Sequence, residues 1–176
     1  MHILLGLIAI IGAVLIWHYR VRAMRGSASE LGDGAEDIRL KIRRLINRRE
    51  YDVHPADSVD DARLAASGLV IAVATMDAPL SQAEITALSR EAQTTFDVTE
   101  REALDIISFG RWVAGECGTP DEAVRRLTDR ISDLAGPEAG PDLVRMIETV
   151  ATANGNPLGE LESDALNTVR RVLDVN

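Results

Sequence analysis

Aromatic residues make up 3% of the 176-residue chain, and cysteine and lysine occur once each. A core with so few rings must be built from Ala, Leu, Val and Ile, and without sustained apolar and polar alternation that composition favours helix over sheet. Cys117 has no second cysteine to pair with and no base or ligand cluster beside it, so it reads as a small buried hydrophobe. Catalysis needs a nucleophile with a base, a pair of tuned acids, a phosphate cradle or a metal with an open position. His2, His18 and His54 are scattered and there is no Gly-rich phosphate loop, so the chain is read as a non-enzyme. The 18 arginines against Lys41 hint at a GC-rich bacterial genome and carry no functional argument.

The net charge of −9 is unevenly spread. Residues 20–50 carry nine Arg or Lys against five Asp or Glu, whereas residues 51–176 carry ten against twenty-three. An acidic domain without stacking aromatics would repel phosphates, which argues against nucleic acid as a partner. The length suits one domain of ordinary size with an appended segment.

That segment is apolar. Ile3 to Trp17 contains no polar residue, and Met1 to Tyr19 is close to the roughly 20 residues that span a bilayer core. Trp17 and Tyr19 fall where rings favour the headgroups, and Arg20, Arg22 and Arg25 follow directly. The positive-inside rule then places the N-terminus outside and residue 20 onward in the cytoplasm of a single-pass inner (cytoplasmic) membrane protein. A cleaved signal peptide would need a basic start and a small-residue cleavage site, neither of which is present. Gly6, Ala9, Gly12 and Ala13 could pack against another transmembrane helix or simply face lipid.

Residues 26–36, GSASELGDGAE, read as a flexible tether. Ile38, Ile42, Leu45 and Ile46 then recur at helical spacing, with Arg39, Lys41, Arg43, Arg44, Arg48 and Arg49 around them. Such a basic amphipathic helix can lie on anionic headgroups, or its apolar stripe can pack on the domain with the arginines solvated. The organisation expected is an anchor at 1–22, a tether with the basic helix at 23–50, and an all-helical domain at 51–176.

Ser58 to Met76 holds the run LAASGLVIAVATM, too short at about thirteen residues for a second span and better suited to a buried core helix. Ser81 with Glu84, Thr99 with Glu102, and Thr119 with Pro120 and Glu122 show a hydroxyl followed three residues later by Glu, the capping-box pattern. They predict helices near 81–95, 99–116 and 119–135. The cluster Gly136, Pro137, Gly140 and Pro141 predicts a break before helices near 141–153 and 159–174.

One element occurs twice. VATMDAPLSQAEITALSREAQTTFDV from Val73 aligns with VATANGNPLGELESDALNTVRRVLDV from Val150 when one residue is inserted in the second turn. Each copy is a helix end, a polar turn and a new helix. Asp77 or Asn154 stands at the stop, Leu80 or Leu158 pins the turn to the core, and Glu84 or Glu162 comes early in the next helix.

The two turns, Met76 to Glu84 and Ala153 to Glu162, resemble the A-D-G-x-I-S-x-x-E turns of the tellurite-resistance TerB-like family, which includes the N-terminal domain of membrane-anchored DnaJ-like co-chaperones. The likeness covers roughly residues 60–175 and implies a compact helical domain following the single transmembrane helix. It also implies a divalent cation held by Asp77, Glu84, Asn154 and Glu162, since carboxylate and amide oxygens suit Ca²⁺ or Mg²⁺. Ala78 stands where the first turn's glycine belongs and Asn154 where the second aspartate belongs, and Glu84 already has a capping role; turns retained as folding elements are the alternative. His54-Pro55-Ala56-Asp57 is not the His-Pro-Asp of a J domain, and no segment is left for one.

Two functions are compatible with this layout. The first is a membrane-tethered interaction module that recruits a cytoplasmic protein in a stress- or metal-related response. The second is an accessory subunit of an integral membrane complex, bound through the transmembrane helix, with membrane lipids as the other partner.

Overall fold

The computed structural model of the protein describes residues 34–47 and 53–175. Seven α-helices run through them: α1 Gly34–Asn47, α2 Ala62–Ala74, α3 Gln82–Phe96, α4 Glu100–Glu116, α5 Pro120–Ala135, α6 Gly140–Ala151 and α7 Glu160–Val172. A one-turn 3-10 helix, Pro137–Ala139, links α5 to α6, and no strand occurs among the described residues.

The apolar run is the axis of the domain. All thirteen residues of α2 are buried, with α4, α5 and α6 packed around it. Leu64, Leu69, Val70, Ile71 and Val73 are each under 5% exposed, and burying such a side chain contributes about 1.5–3 kcal/mol. Among the described residues no helix is long and apolar enough to cross a membrane. The span expected over residues 1–22, with Gly6, Ala9, Gly12, Ala13, Arg20, Arg22 and Arg25, lies outside the described residues, as do Arg48 and Arg49.

The helix begins at Ala62, two residues before the apolar run, because Asp61 is its N-cap. Its carboxylate accepts from the Arg63 backbone N–H at 3.0 Å and from the Arg63 guanidinium at 2.6 and 3.0 Å. Both residues are buried. The segment before it is tied to α5 by the Arg126–Asp57 ion pair at 2.7 Å and by the Arg130 Nε donating to the Val59 carbonyl at 2.5 Å.

Capping chemistry sets the other starts. Ser81 and Thr99 form complete capping boxes with Glu84 and Glu102. Thr119 caps α5 through the Glu122 N–H only. The Glu122 carboxylate turns outward to Arg125 and Arg126, each at 2.6 Å, so this third box is half closed.

Close backbone approach joins α2 to α4. A Cβ on Gly110 would lie 2.6 Å from the Ser67 Oγ and 3.0 Å from the Gly68 backbone N, and one on Gly68 would lie 2.7 Å from a Val113 methyl. Only glycine fits this crossing. The buried Ser67 hydroxyl has no hydrogen-bond partner among the described residues.

The basic helix α1 packs its apolar stripe on α4. Ile38 is 2% exposed and Ile42 half-buried, Arg39 pairs with Asp105 at 2.8 Å, and Lys41 reaches Asp61 at 3.3 Å. Arg43 and Arg44 remain exposed.

Candidate functional site

The repeated turns, 70 or more residues apart in sequence, meet at one end of the bundle. In each copy a threonine in the last turn bonds back to a carbonyl four residues earlier: Thr75 to Ile71 at 2.7 Å and Thr152 to Glu148 at 2.8 Å. Leu80 and Leu158 both pack against the core. In each copy the glutamate reaches back to the backbone N–H at the helix entry, Ser81 to Glu84 Oε2 at 2.6 Å and Gly159 to Glu162 Oε2 at 2.8 Å. The entry residues share an extended conformation, φ −75° and ψ 163° at Ser81 against −68° and 172° at Gly159.

All four residues singled out from the sequence belong to this junction. Asn154 Nδ2 donates to Glu84 Oε1 at 3.0 Å, while its Oδ1 accepts from the Asn156 N–H at 2.8 Å. Asp77 stands over Gly159, where an added Cβ would lie 3.1 Å from its Oδ2. A side chain at 159 would press on that carboxylate, which would have to give by a few tenths of an ångström. Glu84 and Glu162 are buried at 3% and 5% exposure, whereas Asp77 is exposed.

Among the described residues no arginine or lysine pairs with these acids. Burial, together with the charges of Asp77 and Glu84, holds the Glu162 carboxyl above the usual carboxylate range, against the Gly159 N–H that lowers it.

Oxygen donors of this kind have the right chemistry for a hard cation, but their arrangement does not fit one. Both Glu84 oxygens are engaged by N–H donors and the Asn154 carbonyl oxygen is turned away to Asn156. What Asn154 directs into the cluster is an N–H, which a cation would repel. Among the described residues no three of His, Cys, Asp and Glu converge as a metal cage.

A second repeat feature was not anticipated. Asp97 and Asp174 are the non-glycine residues with positive φ among the described residues, at 52° and 53°. Each ends the helix that follows a turn, and the next N–H closes back over five residues: Val98 to Gln93 at 3.3 Å and Val175 to Arg170 at 2.9 Å. The signal was visible as the endings FDV and LDV.

The family model described as Tellurite resistance protein TerB matches residues 63–176. The chain belongs to the TerB family. The match starts at the second residue of α2, so the TerB domain here comprises α2 to α7 with both turns, and α1 precedes it. No curated protein and no solved structure matches the chain.

Beside the first turn, the TerB domain carries an open groove. One wall is Thr75 to Leu80, the other Arg111, Ala114, Gly115 and Gly118 to Pro120. Added Cβ atoms at Gly115 and Gly118 would meet nothing within 4 Å, and Arg111 is exposed.

Other reactive side chains are engaged locally. His54 Nδ1 accepts from the Ala56 N–H at 3.2 Å, and the buried Cys117 donates to the Val113 carbonyl at 3.3 Å. Burial pushes the Cys117 thiol up to about 11, the reverse of an activated nucleophile.

Proposed function

We propose that the chain is a membrane-anchored, non-enzymatic TerB module whose cytoplasmic domain recruits a protein partner in a tellurite- or envelope-stress response. Membership of the TerB family supports the domain's part in this reading. The apolar Ile3 to Trp17 run followed by Arg20, Arg22 and Arg25 supports the anchor and its orientation. The observation that carries the recruiting role is the groove between the first turn and the end of α4. One of its walls holds Gly115 and Gly118 with open space beside them, together with the exposed Arg111. The engaged state of His54 and Cys117 supports a non-enzymatic role.

Photocrosslinking tests it in cells producing the full-length protein with a photoreactive residue at Ala78 or Gly115. The expected result is one dominant protein adduct in the membrane fraction, lost on Arg111→Glu. Capture that depends on residues 1–33 alone, with none from the groove, would replace this reading by that of an accessory subunit held through its transmembrane helix.

A further inference from the structure

We infer that Asn154 is an internal lock that joins the two turns in place of a divalent cation, so that closure of this TerB domain does not depend on metal. The first turn offers Asp77 at the helix stop and the second offers Asn154, and the difference decides the electrostatics of the junction. An aspartate at 154 would set its carboxylate against the buried Glu84 carboxylate, in a cluster that already contains Asp77 and Glu162 and, among the described residues, has no basic side chain paired with it. Such a set stays together only with a cation between its members or a proton on one of them. The amide removes that charge and supplies a donor in its place.

Two hydrogen bonds fix which end of the amide does this. The Asn156 N–H is a donor and must face the carbonyl oxygen, at 2.8 Å, which leaves Nδ2 to face Glu84 at 3.0 Å. The insertion in the second turn contributes here, because Asn156 is the residue that makes this turn one longer than the first. The Ser81 N–H takes the other Glu84 oxygen, so the buried carboxylate is satisfied by protein donors alone.

The test is thermal unfolding of the full chain in detergent, in EDTA and in about 5 mM CaCl₂ or MgCl₂ at matched ionic strength. The wild-type midpoint is expected to agree within about 1 °C across the three media. Asn154→Asp is expected to melt several degrees lower in EDTA and to regain stability in CaCl₂, whereas Asn154→Ala is lowered equally in all media. A wild-type midpoint that rises saturably with CaCl₂ or MgCl₂ would overturn the inference. So would an Asn154→Asp variant with no more response to the cation than wild type. Should Asn154→Asp fail to fold, the wild-type comparison and Asn154→Ala decide between the two outcomes.

Discussion

Asn154 and Glu84, 70 residues apart, share a 3.0 Å hydrogen bond that connects the turn between α6 and α7 to the capping box that starts α3. One glutamate thereby does two jobs: it satisfies the Ser81 N–H within its own repeat and holds the amide of the other. The two copies of the TerB turn are coupled through a side chain that each copy alone would use only as a cap.

The three hydroxyl-led helix starts are not equivalent. Glu102 is buried, and its Oε2 accepts from the Thr99 N–H at 2.7 Å and from the Thr99 hydroxyl at 2.8 Å. Glu122 is spent on surface arginines. Urea unfolding should show Glu102→Ala losing about 1–2 kcal/mol, and Glu122→Ala clearly less than that.

At the crossing of α2 and α4, Gly110→Ala forces a methyl against Ser67 and the Gly68 backbone. The expected cost is about 1–3 kcal/mol even though alanine is the better helix former. Ser67→Ala removes a buried hydroxyl that has no partner among the described residues and is expected to be neutral or stabilising. Thermal melts of the two single variants check both signs.

Asp61 and Glu162 should give opposite pH dependences. Burial alone would raise Asp61, but the Arg63 hydrogen bond and charge outweigh it, with Lys41 adding to them, and hold the carboxyl below its ordinary 3.8. Its stabilisation is therefore full above that value and is lost as pH falls through the lowered folded one. Glu162 is raised above its ordinary 4.5 by burial and by Asp77 and Glu84, so protonation favours the fold. Stability from this group is fully present below 4.5 and is lost as pH rises through the raised folded value. Glu162→Gln should flatten that dependence in a urea series over pH, while Asp61→Asn should destabilise the fold near neutrality by removing the carboxylate that accepts from the Arg63 guanidinium.

Cys117 reports unfolding rather than reactivity. With the thiol buried and raised to about 11, its alkylation by iodoacetamide at pH 8 should follow the rate at which the domain opens. Immediate labelling of the folded protein would contradict the packing around α4 and α5.

The helices were legible because their signals are local. A hydroxyl with a glutamate three residues on, or a Gly-Pro break, acts within one turn of the chain, and the starts at Gln82, Glu100, Pro120 and Glu160 lie within one residue of those expected. Where a local signal has competitors, the side chain goes elsewhere. Asp61 caps α2 with Arg63 folded back on it, and Glu122 has Arg125 and Arg126 on the same helix face. The TerB turns were legible as a repeat, but the direction of the Asn154 amide was not. That depends on Asn156 and Glu84 arriving from different parts of the chain, a tertiary event that composition and spacing do not encode. As a result Asn154 reads from sequence as a weakened ligand and in the structure as a donor.

The coupling of the two repeats is tested most directly by a double-mutant cycle on Glu84→Ala and Asn154→Ala, measured by urea unfolding. A hydrogen bond to a buried carboxylate predicts a coupling of about 1.5–3 kcal/mol between the two sites. Losses that add to within about 0.5 kcal/mol would mean that the turns are stabilised separately and would contradict the account.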